Sequence, residues 1–304
     1  MREMRLPRQM RPITRTRKKL MTRKLSEFRR ILIGTHPKFI EASQLVEQIT
    51  EHLRERNLEV VAGMLNDLDV DEQDLFIALG GDGTMLRAGH MCAPSGTPIL
   101  GINLGKFGFL TEIGHDEWQD ALGRLARGEF WLEDRMTLKI AQWRDEQQIG
   151  QWMALNDAVI SRGRFARPIR LEVYVDERLL STYVADGIIT STPTGSTAYA
   201  MAAGGPILLP ELRNILLVPL APHLSIEQSI VLAEGSHISV LAHTEHEAVL
   251  SIDGQFPIEL QESDRIEIRA GEHTVRFVRF EDPGYFYRNL TPHMSCNPSI
   301  EKKQ

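Results

Sequence analysis

Three glycines around one carboxylate, Gly80-Gly81-Asp82-Gly83-Thr84, form the segment of this sequence with the most chemical content. Glycine lets the backbone approach a ligand closely, and amides that open a helix favour phosphate oxygens. An aspartate inside such a loop repels phosphate unless it holds a metal ion or takes the proton of a hydroxyl. The loop follows the apolar run Asp74–Leu79 and precedes a helical stretch from Thr84 to Met91, so its context is strand, loop, helix. A tight turn would account for one or two of the glycines but not for the central carboxylate. Neither G-x-x-x-x-G-K-[ST] nor a G-x-G-x-x-G after the first strand is present, which argues against a P-loop nucleotidase and an ordinary nicotinamide dehydrogenase.

A second block runs from Asp186-Gly187 through Ser191-Thr192-Pro193-Thr194-Gly195-Ser196-Thr197-Ala198-Tyr199 to Gly204-Gly205-Pro206. Its hydroxyls could serve a ribose, and Tyr199 offers an aromatic face for a base. A Thr/Ser-rich turn at a strand end, followed by a helix of small residues, uses the same residue types. On these residues alone both readings stand.

Positioning these groups calls for a scaffold, and the pattern supplies one in two textures. Arg30–Gly34, Leu58–Val61, Asp74–Leu79 and Thr97–Asn103 read as buried strands. Helical segments at 40–56, 84–91 and 116–128 fall between or after them, which indicates a parallel α/β sheet. Ligands in such sheets sit where strand carboxyl ends meet helix amino ends. From about residue 136 the segments shorten and become β-rich: Leu138–Trp143, Ala158–Ile160, Ile169–Val175, Ile238–Leu241, Val249–Ile252, Arg265–Ile268 and Val275–Phe280. The expected fold class is therefore a Rossmann-like α/β domain over 30–135 and a mostly antiparallel, β-sandwich-like domain over 136–280. A basic arm (1–29) and a C-terminal tail (281–304) flank them.

Together the motifs resemble those of the bacterial NAD kinases. That family joins a G-G-D-G-T loop to an Asn-Glu pair, a long D-G-x-x-x-S-T-P-T-G-S-T-A-Y segment and a later D-G-Q. Here the order is kept in Gly80–Thr84, Asn156-Asp157, Asp186–Tyr199 and Asp253-Gly254-Gln255. The similarity spans about residues 30–285, and its long middle motif is specific, whereas G-G-D-G-T also occurs in diacylglycerol-type lipid kinases and phosphofructokinases. Two departures are visible. Asp157 stands where the family has Glu, one methylene longer, and Gly105-Lys106-Phe107-Gly108-Phe109 has Phe107 where leucine is commoner. Neither removes a functional group.

The resemblance implies transfer of the terminal phosphoryl of ATP, or of polyphosphate, to the 2′-hydroxyl of NAD's adenosine ribose. Such chemistry needs mainly positioning and charge neutralisation. Asp82 is the candidate base for the hydroxyl proton, with Mg²⁺ binding as its competing role. Mg²⁺ or another divalent cation would arrive with the phosphates, since it keeps waters and takes few protein ligands. By the same resemblance Asn156 and Asp157 would hold ribose hydroxyls, Thr197, Ala198 and Tyr199 would line the adenine pocket, and Ser196 would contact NAD. Asp186 holds the nicotinamide end, while Gly83 and Phe107 pack beside the dinucleotide. Gly80, Gly81 and Thr84 would bind the donor phosphates. Arg87 could reach them too, or simply be an exposed helix arginine. Asp253 is expected to shape a neighbouring loop. The alternatives are a lipid or sugar kinase with the same loop, which would lack the Asp186–Tyr199 run, and a non-catalytic dinucleotide sensor, which would lack Asp82.

Composition bounds the setting. The chain has 304 residues, 42% hydrophobic and 25% charged, the balance of a globular protein with two domains. No apolar run approaches the roughly 18–20 residues of a membrane helix, and the start leads into no secretory signal. Two cysteines, Cys92 and Cys296, suit a reducing cytoplasm. Residues 1–30 hold twelve Lys or Arg against Glu3 and Glu27, a charge of +10, so the remaining 274 residues carry −16 of the total of −6. The acidic body argues against nucleic acid as the main partner. The arm reads as a disordered extension, a transit-like segment, or the product of an upstream start before Met10 or Met21. His243-Thr244-Glu245-His246-Glu247 superficially resembles a metal cluster, but sits on a turn without a second ligand group. A homo-oligomer, dimer or tetramer, is expected from the resemblance.

Overall fold

In the computed structural model the described residues are 28–36, 42–105, 108–164, 167–223, 226–243, 247–255, 257–262, 264–288 and 290. The first half contains β1 (Arg30–Thr35), α1 (Ser43–Arg54), β2 (Glu59–Met64), β3 (Leu75–Leu79), α2 (Asp82–Cys92), β4 (Ile99–Asn103), β5 (Ile113–Gly114) and α3 (Trp118–Arg127). Strands β3 and β4 are buried along their whole length, as expected of central parallel strands covered on both faces. Helix α1 turns Ile49 and Leu53 into the core, and α3 stops at Gly128, whose φ of 74° only glycine adopts freely.

The second half is β-rich: β6 (Trp131–Arg144), β7 (Gln147–Ala154), β8 (Asp157–Arg162), β9 (Ile169–Val175), β10 (Arg178–Ala185) and β11 (Gly187–Ser191), then a short α4 (Tyr199–Ala202). It closes with β12 (Asn214–Leu220), β13 (Ile230–Ala233), β14 (Ile238–His243), β15 (Ala248–Ile252), β16 (Ile258–Leu260) and β17 (Arg265–Arg279). Six of these strands form an antiparallel sheet in the order β13-β12-β11-β8-β15-β16. It packs against a larger sheet through a core that includes Leu138, Ile140, Leu171, Val240 and Ile266 on one side and Ile160, Ile188, Leu217 and Leu250 on the other. The architecture is an α/β part followed by a mostly antiparallel sandwich.

The two parts share a sheet. Strand β17 pairs antiparallel with β6 and β14, and its far end pairs parallel with β4 at Phe277↔Ile99. The larger sheet thus has eleven strands, running from β10 at one edge to β2 at the other. The separate segments expected at Arg265–Ile268 and Val275–Phe280 are one strand with a register shift between Ala270 and Thr274, because β6 pairs with both halves. Two flanking assignments shift as well. Phe28, expected in the arm, is buried beside Phe130 at 6.2 Å between ring centroids. Tyr285 and Phe286, assigned to the C-terminal tail, are 5% and 7% exposed, and the Tyr285 hydroxyl accepts from Arg135 and donates to Glu133.

Candidate active site

The glycine-aspartate loop connects the carboxyl end of β3 to the amino end of α2. Gly80 has a φ of 153°, and a Cβ there would meet the Thr84 Oγ1 at 2.1 Å, so this position excludes any side chain. Gly81 and Gly83 behave differently: a Cβ on either would meet nothing within 4 Å. Their small size is not demanded by the protein's own packing, and it leaves open space against the loop backbone. Thr84 itself is 3% exposed, and its Oγ1 lies against Gly80. Arg87 is exposed on the first turns of α2.

Asp82 occupies the first turn of α2, where a negative charge is favoured by the helix dipole. Its carboxylate is held from across the loop: the Phe109 amide donates to Oδ2 at 2.9 Å and the Leu110 amide to Oδ1 at 3.0 Å. The segment passes so close that a Cβ on Gly108 would lie 2.0 Å from Oδ1. Gly108 therefore reads as the residue that lets this segment seat the carboxylate. Phe107 and Lys106 lie outside the described residues.

Asn156 precedes β8 and Asp157 opens it, and the Thr-Pro-Thr-Gly turn folds directly over them. Thr192 donates from its amide to the Asn156 carbonyl at 2.8 Å and from Oγ1 to the Leu155 carbonyl at 2.6 Å. A Cβ on Gly195 would strike the Asn156 carbonyl oxygen at 2.2 Å. Most hydroxyls of this block are consumed internally. Ser196 is fully buried, donates to the Pro193 carbonyl at 2.7 Å and accepts from the Leu208 amide at 2.9 Å. Thr197 donates to the Thr194 carbonyl at 3.2 Å. Ser191, Thr192 and Ser196 thus brace the turn with their hydroxyls. What the block presents outward is half-buried Ala198 and the Tyr199 ring, which is 50% exposed. Asp186 is partly exposed and pairs with Arg162 Nε at 2.8 Å.

Asp253 is the hub beneath this turn. Its carboxylate is 1% exposed and accepts from the backbone amides of Leu155, Asn156 and Asp157 at 2.7–2.9 Å, and it pairs with His90 Nε2 at 2.7 Å. Burial and the neighbouring Asp253 charge push the Asp157 carboxyl up to about 7. Asp253 shapes a loop, as expected, and the loop is the one that carries Asn156 and Asp157.

A second buried network ties the two motifs together and was not singled out in the sequence. Arg279 Nη1 donates to the Leu110 carbonyl at 2.9 Å and its Nε to Glu133 at 2.8 Å. Arg135 donates to Glu133 and to the Tyr285 hydroxyl at 2.8 Å, and to Thr194 Oγ1 at 3.1 Å. Burial alone would raise the Glu133 carboxyl, but the two guanidinium groups hold it down at about 2. The available signal was Glu133 and Arg135 two apart on β6, with Arg279 next to the apolar pair Phe277-Val278 at the end of β17. Among the described residues there is no group of three His, Cys, Asp or Glu side chains placed to hold a metal ion, and residues 244–246 of the His/Glu turn lie outside them.

The sequence matches the model of the ATP-NAD kinase N-terminal domain over residues 61–130 and that of the ATP-NAD kinase C-terminal domain over residues 155–280. The chain belongs to the NAD kinase family. A curated NAD kinase of Chloroflexus aggregans is 37% identical over 266 residues, covering 86% of this chain and 96% of the relative. The NAD kinase of Moorella thermoacetica is 44% identical over 212 residues, covering 69% and 68%. Among solved structures, an Archaeoglobus fulgidus NAD kinase in complex with ATP has a TM-score of 0.71 at 25% identity, covering 88% of this chain and 100% of that one. A yeast NADH kinase complexed with NADH shares the fold, with a TM-score of 0.74 at 24% identity and 91% and 90% coverage. Membership makes the chain a kinase for ATP-dependent phosphorylation of NAD to NADP, and neither a lipid or sugar kinase nor a silent sensor is favoured. No helix among the described residues is long and apolar enough to cross a membrane.

Proposed function

We propose that this NAD kinase moves the terminal phosphoryl of ATP onto the 2′-hydroxyl of the adenosine ribose with Asp82 as the general base. The observation that supports this is the anchored carboxylate beside open glycine backbone. One amide holds each Asp82 oxygen, and each oxygen keeps a lone pair free for a hydroxyl proton. Gly81 and Gly83 leave room for donor phosphates at the positive end of α2. Asn156 and Asp157 hold the ribose, Tyr199 with Ala198 and Thr197 frames the adenine, and Asp186 receives the nicotinamide end. Ser196 acts through the turn it braces. A divalent cation fits this site as a companion of the phosphates: Asp82 is a single carboxylate, and Mg²⁺ takes few protein ligands. When bound it neutralises phosphate charge. The protein's own contribution is to align the acceptor hydroxyl and remove its proton. Self-association into a dimer or tetramer is supported by the exposed Leu179 and Val184 on edge strand β10, and a cytoplasmic setting by the low count of two cysteines.

Asp82→Asn tests the role of the base. The amide keeps the shape and loses the ability to accept a proton, so turnover should fall by about 10²–10⁴-fold while calorimetric NAD affinity holds. Retention of more than half of wild-type turnover would refute the assignment.

A further inference from the structure

Helix α2 carries two polar side chains tied by hydrogen bonds to distant parts of the chain, and only Asp82 is accounted for by the chemistry. The other is His90, eight residues and about two turns further along. Its ring is 24% exposed, and its Nε2 lies 2.7 Å from Asp253 Oδ2. An ionised carboxylate only accepts, so Nε2 carries the proton of this bond. The same carboxylate receives the amides of Leu155, Asn156 and Asp157, and the Asp253 amide donates back to the Asp157 carbonyl at 2.9 Å. Asp253 is held with a φ of 49°, in the left-handed region.

Packing alone does not fix this relation. Around Gly89, α2 touches Leu155 and Val275 through apolar contacts, with a Cβ on Gly89 only 3.1 Å from Leu155 Cδ2. Apolar contacts set how near the helix lies but tolerate small slides along it, because they are non-directional. A hydrogen bond to a buried carboxylate is directional and strong. We infer that His90 is a positioning residue for the acceptor: through Asp253 it sets Asn156 and Asp157 in register with Asp82 on the same helix. The ring touches neither reactant; it fixes the distance between the group that holds the ribose and the group that takes its proton.

This rests on the reading that Asn156 and Asp157 hold NAD, and the experiment separates the two. Steady-state constants for NAD and ATP are measured for His90→Ala, His90→Gln and Asp157→Ala, with melting temperatures for all three. Misplacing an acceptor by a fraction of an ångström should raise the KM for NAD by roughly tenfold in His90→Ala, with the KM for ATP within twofold. Glutamine can offer a side-chain N–H at comparable reach, so His90→Gln should recover most of the loss. A purely structural role would lower the melting temperature and shift both substrates alike, with no rescue by glutamine. If Asp157→Ala raises the KM for NAD and His90→Ala does not, the inference about His90 is overturned. If Asp157→Ala itself leaves NAD binding unchanged, the ribose assignment is the part that has failed.

Discussion

Asp157→Asn probes the electrostatics of the site directly. The Asp157 carboxyl stands at about 7 against an ordinary 3.8, raised first by burial and then by the charge of Asp253. Between pH 4 and 7 the folded chain therefore keeps a proton that the unfolded chain has released. Stability falls as pH climbs through that window, and the loss is complete above it. Three pH units correspond to about 4 kcal/mol at 1.36 kcal/mol per unit. Asparagine cannot ionise and escapes that cost, so the variant should gain on wild type from pH 5 to pH 7 and level off by pH 8. The assay is the difference in unfolding free energy, variant minus wild type, from denaturant titrations across that range, because groups common to both proteins cancel in it. In the proposed ribose site the ionised carboxylate is the form that would accept from ribose hydroxyls, so the wild-type KM for NAD should fall as pH rises through 7, and the variant's should stay flat. A difference in stability that does not change with pH, or a wild-type KM that rises over the same window, would refute the reasoning.

Three further outcomes are expected. Gly108→Ala places a methyl group 2.0 Å from Asp82 Oδ1 and should cut turnover by at least about tenfold. An unchanged kcat would show that the carboxylate position is not critical. Tyr199→Ala removes an exposed ring proposed to wall the adenine pocket, so the KM for NAD should rise while saturated turnover stays within a few-fold; a collapse of kcat at constant KM would move Tyr199 into the chemistry. Deleting residues 1–24, which hold ten Lys or Arg and one Glu, should leave the melting temperature and ATP-dependent activity unchanged at moderate salt, where long-range attraction is screened. A lower melting temperature would make the arm part of the fold.

What could be read in the sequence was what leaves a local trace. Strands β1, β3 and β4 are uninterrupted apolar runs, and their burial follows from composition alone. The Gly80–Thr84 loop announces itself because three glycines around an aspartate have few other uses. Strands β7 and β12 escaped notice for opposite reasons. Gln147–Ala154 is half exposed and mixes glutamine with glycine, and Asn214–Leu220 carries Pro219 within an apolar run. The hydroxyls of the Thr/Ser block illustrate a different limit. Their types suit a ribose, yet whether an oxygen faces a ligand or a neighbouring carbonyl depends on how the turn packs on Asn156. The charged networks around Asp253 and Glu133 join residues more than ninety positions apart, and no local pattern encodes such a pairing.

Those long-range pairings explain how two motifs from different parts of the chain can serve one reaction. Strand β17 belongs to the antiparallel half by pairing with β6 and β14 and reaches the parallel half at β4. The two halves are therefore bonded through a shared sheet, and the loop after β3 is not free to drift relative to the turn after β11. Side chains refine what the sheet sets. Arg279 holds the Leu110 carbonyl, and the Leu110 amide holds Asp82. Glu133 links Arg279 to Arg135, which holds Thr194 in the turn over Asn156. Phosphoryl transfer asks a protein for alignment more than for covalent chemistry, and alignment across a mobile boundary would be lost to thermal motion. Burying a charge network costs desolvation and contributes little net stability. It does make each link directional, and that directionality is the property a reaction governed by alignment requires.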